Sequence, residues 1–115
     1  CDLTGVGYNV GSVGGTDDAI VALYSASGAV IAYSALAGTL VGTANTIQQI
    51  AFTAKKRLAP GLYFVSVSMD GTTARLRLQG ATGPLAGSAE GVFGTLDAIT
   101  APTTNAGGCP IGYVY

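Results

Sequence analysis

Apolar and polar positions alternate with period two through most of the first 79 residues, the spacing at which successive side chains face opposite sides of a strand. Val6, Tyr8 and Val10 alternate with small or polar neighbours, and the Gly-rich "VGSVGGTDD" then marks a turn. "AIVALYSASGAVIAYS" reads as a hairpin. Val21 and Leu23 share one face, Ile20, Ala22 and Tyr24 the other; Ser27-Gly28 turns the chain and Val30, Ile31 and Tyr33 return it. "ALAGTLVGTANT" has no clear period and is expected to carry the chain from one sheet to another, as in a Greek key. In "TIQQIAFTA", Ile50 and Phe52 point one way and Gln49 and Ala51 the other.

The clearest signal is "PGLYFVSVSMDGTTARLRLQ". Tyr63, Val65, Val67 and Met69 line one face and Phe64, Ser66, Ser68 and Asp70 the other. Asp70-Gly71 suits a two-residue turn, since Gly tolerates positive φ. Ala74, Leu76 and Leu78 then form the dry face of the expected return strand, with Thr73, Arg75, Arg77 and Gln79 opposite. From Gly80 to Gly108 the alternation stops, and the segment is rich in Gly with two prolines. Its isolated apolar residues Leu85, Val92, Phe93, Leu96 and Ile99 point to a loop or arm ordered by its neighbours, the candidate partner-docking element. "CPIGYVY" reads as a final strand. The pattern predicts a single all-β domain over 1–115, an antiparallel β-sandwich of jelly-roll type with about eight strands.

Composition narrows the function. The 115 residues are 49% apolar and only 10% charged, so much of the surface is small, neutral or covered. A net charge of −1 leaves no electrostatic footprint for nucleic acid or an anionic membrane surface. The longest apolar stretches fall far short of the roughly 20 residues a bilayer-spanning helix needs. Lys55, Lys56 and Arg57 form the only basic cluster, read as a solvated strand end. The chain opens on Cys1 rather than Met, which suits a processed chain or a domain cut from a longer protein; a mature lipoprotein also begins on Cys.

The chemical inventory is thin. With no His, the usual general base and the commonest metal ligand are missing. Two cysteines do not make a four-ligand zinc site. Asp2, Asp17, Asp18, Asp70, Glu90 and Asp97 fall at turns, ends or in the irregular segment, where Asp is favoured for backbone reasons; Asp17-Asp18 as a cation chelate is the weaker reading. No serine has the context of an activated nucleophile. No catalytic residue, cofactor or metal is expected, and the chain reads as a non-enzyme.

The "AIVALYSASGAVIAYSALAGTLVGTANTIQQIAFTA", "GLYFVSVSMDGTTARLR" and "PIGYVY" stretches together resemble a β-rich module of virion proteins of tailed bacteriophages, which shares an "ALY…SG" hairpin, a "Q.I.F" strand, a "G.Y…G…R.R" hairpin and a terminal "Y.Y". A sandwich appended to bacterial secreted proteases has similar hairpins. That module usually carries more Asp and often binds calcium, whereas "YSASGA" and "SMDGTT" are thin in carboxylates. The resemblance implies a virion surface location, with the domain decorating a capsid or forming part of a head or tail fibre. Partners would then be further copies of itself, a trimer being favoured, and capsid or tail proteins. The alternative is a carbohydrate-binding or adhesion module, for which Tyr24, Tyr33, Phe64, Tyr113 and Tyr115 are the candidate stacking rings, although aromatics on strands are more often packing residues. Cys1 and Cys109 are a candidate disulfide if the first and last strands are neighbours.

Overall fold

The computed structural model describes residues 1–79, 92–99, 109–110 and 112–115. Among them there is no helix. The strands are β1 (Asp2–Asn9), β2 (Asp18–Ser25), β3 (Val30–Tyr33), β4 (Thr39–Leu40), β5 (Ile47–Arg57), β6 (Tyr63–Met69), β7 (Leu78–Gln79), β8 (Cys109–Pro110) and β9 (Gly112–Val114). They form two antiparallel sheets, with β7 and β8 as a separate two-stranded ladder.

In the first sheet, β1 lies between β5 and β9, so the first and last strands are neighbours. Leu76 extends the β9 side of β1 by bridging to Val10. In the second sheet, β2 is central. β6 runs along one side of it over the whole span from Ala19↔Met69 to Ser25↔Tyr63. The other side is shared by β3, paired with Ala22 to Tyr24, and β4, paired with Asp18 and Ala19. Between those two short strands Ser34 keeps the ladder intact: its N–H donates to the Val21 carbonyl and its Oγ accepts from the Val21 N–H at 3.0 Å. A buried hydroxyl is thereby satisfied without a regular strand.

The sheets share one core. Val6, Tyr8 and Val10 from β1 and its end, with Ile50 and Phe52 from β5, meet Ala19, Val21 and Leu23 from β2. Tyr8 is the largest fully buried side chain. Its hydroxyl donates to Gln48 Oε1 at 2.6 Å; the same oxygen accepts from Gly42 N–H, and Gln48 Nε2 donates to the Leu40 carbonyl. One amide thus ties β5 to the core tyrosine and to the 40–42 connection. Burial pushes the Tyr8 phenol up to about 12, because the phenolate is stripped of water there.

One expectation needs correction. The chain does not form a hairpin at Asp70-Gly71: β6 pairs with β2, and residues 70–75 cross to the other sheet, where Arg77 bonds to Asn9 at the end of β1 and Arg75 to Gly11 and Val13 beyond it. The physical reason is Asp17, whose Oδ2 accepts the Thr73 and Ala74 N–H groups at 2.8 and 2.7 Å, while Asp70 Oδ1 accepts the Asp18 N–H at 2.7 Å. These carboxylates capture the backbone donors of the bend. The predicted faces hold regardless: Ala74 is buried, and Thr73, Arg75 and Arg77 are exposed.

The irregular 35–46 connection reaches the other sheet as expected, forming the short β4 against β2 on the way. Lys55, Lys56 and Arg57 form the exposed end of β5, a solvated strand end as their charge suggested, with Arg57 and Lys56 paired with Asp2 and Leu3.

The segment 92–99 packs on its own chain. Ile99 N–H donates to the Gly28 carbonyl, and the Phe93 ring lies against Gly38 beside the Asp18 side chain. Asp18 shares its strand face with Ile20, Ala22 and Tyr24, so the segment, a strap, is tied at the start of β2 through Phe93 and at the β2–β3 turn through Ile99. All six residues from Ala19 to Tyr24 are buried: Ala19, Val21 and Leu23 meet the other sheet, and the strap is anchored on the side of the alternate residues. Phe93, Leu96 and Ile99 are half-buried, whereas Val92 is exposed. Leu85 lies outside the described residues.

Candidate functional surfaces

The two outer faces are built differently. On the second sheet the strap leaves an apolar rim. Leu40 faces outward from β4, since its partner Asp18 does, and is 58% exposed; Leu36, whose carbonyl lies beside Gly94, is 41% exposed; Val92 is 74% exposed. The three surround the start of the strap. Large apolar side chains gathered in this way mark a contact surface more than scattered ones do.

On the first sheet the outward positions of β1 and its continuation are Gly5, Gly7, Asn9 and Gly11, a floor almost without side chains. Side chains from the neighbouring strands lie over it. The Tyr113 ring covers Gly7, where a Cβ would run into its ring atoms, and its hydroxyl accepts from Gln49 Nε2 at 2.9 Å on the far side of β1. Gly7 pairs with both Gln49 and Tyr113, so the ring spans three strands. The Tyr115 hydroxyl lies over Gly5, and the two rings stand 6.4 Å apart at 58°.

Arg77 repeats the pattern one step along. Its N–H donates to the Asn9 carbonyl, and its Nη2 reaches across to Asn45 Oδ1 at 3.4 Å. Arg75 sits against Gly11, its guanidinium turned back to the carbonyls of Thr72 and Ala74. Among the described residues the one ion pair is Arg57–Asp2, exposed on both sides and worth little. Neither Arg75 nor Arg77 is neutralised there.

Of the other sequence candidates, Tyr24 is buried and not available as a platform, Phe64 is half-buried, and Tyr33 is exposed but stands apart on β3. Asp17 is engaged by backbone donors, and no group of three or more His, Cys, Asp or Glu side chains gathers among the described residues. Cys1 carries a free, exposed thiol. β9 enters the ladder with Gly112 opposite Tyr8 and Tyr115 reaches Gly5, so Cys109, upstream of Gly112, lies toward the far end of β1 from Cys1. Cys109 pairs with Gln79 in β8, and its side chain lies outside the described residues.

Sequence reasoning missed the Gly-floored face because its parts are far apart in the chain. Its signal was the alternation "GVGYNVG" and the terminal "YVY". No known family model, characterised protein or solved structure matches the chain.

Proposed function

We propose that the chain is a non-enzymatic β-sandwich of jelly-roll type that serves as a structural surface module of a virion, a capsid-decoration or head or tail fibre domain held by symmetric contacts. The observation that carries the assembly part is the apolar rim of Leu36, Leu40 and Val92 around the strap. The occupant is a second copy of the chain, as in a closed trimer. An apolar patch on a chain of net charge −1 needs no oppositely charged partner, and a patch that meets a different surface of the next copy closes a ring. Val92 belongs to the docking set expected from sequence; Phe93, Leu96 and Ile99 support it from beneath by holding the strap down. The virion setting rests on the sequence resemblance.

The test is light scattering coupled to size exclusion on the wild-type chain and on Leu40→Asp. A trimer for the wild type and a monomer with an unchanged circular dichroism spectrum for the variant are expected. A wild-type monomer at 100 µM refutes self-assembly. Coding sequences for capsid, portal or tail proteins beside this one support the virion setting, and a secreted-protease neighbour overturns it.

A further inference from the structure

The Gly-floored face lies on the opposite side of the molecule from the apolar rim, and its chemistry is of another kind. The geometry points to a binding site for a sparsely charged, carboxylate-bearing oligosaccharide, with Tyr113 as the stacking platform and Arg77 as the carboxylate contact.

The platform is fixed before any ligand arrives. One face of the Tyr113 ring is laid on Gly7 and the hydroxyl is tied to Gln49, yet the residue keeps 43% of its surface exposed. With one side on Gly7, the ring turns its other side away from β1, an apolar plane suited to the C–H face of a pyranose. A ring held this way loses little rotamer freedom on binding. Because the phenol oxygen accepts from the Gln49 amide, its own proton is free to be donated outward, and Gln49 Oε1 remains as an acceptor beside it. A ring face flanked by one donor and one acceptor fits a hydroxylated ring better than a purely apolar group. Tyr115, tilted at 58°, forms a wall at one end.

Arg77 supplies the charge selection. It is opposite Asn9 and Tyr113 is opposite Gly7, so the two lie two residues apart along β1, about 7 Å at strand rise. That is the reach from a stacked ring to a carboxylate on it or on the next unit. The Arg77 side chain is exposed; among the described residues its guanidinium bonds to the neutral Asn45 side chain, and it presents a planar fork matched to a carboxylate. Arg75 follows at the next outward position. From Gly5 to Gly11 the row covers about 20 Å, enough for a short glycan lying along the strand.

A dense polyanion fits less well. Nucleic-acid affinity comes from many phosphate contacts, and this chain offers two guanidiniums here within a net charge of −1. A ligand with one carboxylate per several neutral units matches that spacing of charge.

The test is an NMR titration of the 15N-labelled full-length chain with three probes: sialyllactose, neutral lactose and oligo-dT. Expected are shifts centred on Gly7, Gln49, Arg77 and Tyr113 with sialyllactose, binding at least tenfold weaker for lactose, and none with oligo-dT. Arg77→Gln, at an exposed position, should bring sialyllactose down to the lactose level while leaving lactose unchanged. Tyr113→Ala should abolish both; should it unfold the chain, Gln49→Leu serves instead and should weaken both by a few fold. Equal binding of the two sugars, shifts that do not centre on this face, no shifts with either sugar at 10 mM, or tighter binding of oligo-dT each overturns the proposal. Leu40→Asp, on the other face, should leave these titrations unchanged, so failure of the assembly reading and failure of this one are read separately.

Discussion

Replacing Asp17 tests whether its carboxylate, rather than the local Asp70-Gly71 sequence, directs the chain from one sheet to the other. Asp17 Oδ2 accepts two N–H groups, from Thr73 and from buried Ala74. In Asp17→Ala the exposed Thr73 donor turns to water at little cost. The Ala74 donor loses its partner at a buried residue, about 1 to 3 kcal/mol. Asp17 also has φ of 52°, a conformation that Asp tolerates better than Ala, which adds about 1 kcal/mol. The sum is about 2 to 4 kcal/mol, a large share of the roughly 5 to 15 kcal/mol that holds a domain. In urea this lowers the midpoint by about 2 M for a domain of this size. The sharper test is a double-mutant cycle. A Cβ on Gly71 would meet the Asp17 carboxylate, which its two hydrogen bonds hold in place. Gly71→Ala should therefore cost about 1 to 3 kcal/mol in the wild type and much less in Asp17→Ala, where the obstructing group is gone. A loss below about 0.5 kcal/mol for Asp17→Ala, or strict additivity of the two substitutions, refutes the argument.

Two further outcomes follow from the fold. The Tyr8 phenol has a folded-state pKa raised from 10.0 to about 12 by burial, so its contribution is fully present below pH 10 and is lost as the pH rises through 12, by up to about 2 to 3 kcal/mol. Tyr8→Phe forfeits the bond to Gln48 at neutral pH, but its stability should fall less steeply than the wild type's between pH 10 and 12; parallel urea-midpoint curves contradict the assignment. Gly28 has φ of 88° and packs against the Ile99 carbonyl, so Gly28→Ala should release the strap. The expected readout is faster hydrogen exchange at the Ile99 amide with Val21 and Leu23 still protected, and unchanged exchange at Ile99 rules that out.

Much of the fold was legible because strand faces are a local property. The unbroken apolar run "AIVALY" is the signature of a strand covered on both sides, and β2 is that strand. Ile50 and Phe52 point inward as their alternation requires, and Tyr63, Val67 and Met69 pack against the core from the face that period two assigned them, whereas Val65 on the same face is 46% exposed. Partners are not local. The pattern of 63–79 specified which side chains turn inward but not that β6 would choose β2 over its own return strand; that depended on an aspartate more than fifty residues earlier. β4 was hidden for another reason: two residues carry no period. The candidate ligand face was the least legible, since Gly7, Gln49, Arg77 and Tyr113 become one surface only once the β1 registers are known.

The two central strands explain why the outer faces differ. β2 is apolar on both sides, so its outer face must be covered by something apolar and continuous, and the chain supplies a strap of backbone with Phe93, Leu96 and Ile99 turned partly inward. A backbone segment laid across a sheet has edges, and the exposed Leu36, Leu40 and Val92 stand at them. β1 presents glycine outward, which leaves a shallow floor with little surface of its own to bury. Single side chains suffice to cover it, and those that reach it come from strands on either side: Tyr113 toward Gln49 and Arg77 toward Asn45. Glycine in a strand weakens it by entropy and by the missing side chain; a ring laid across Gly7 restores part of the packing while turning its other face away from β1. A Cβ at Gly7 would thus both displace the ring and remove the platform. The same glycines that make β1 a poor strand in isolation make this face flat, preorganised and open, while the opposite face is the one with apolar surface left to bury.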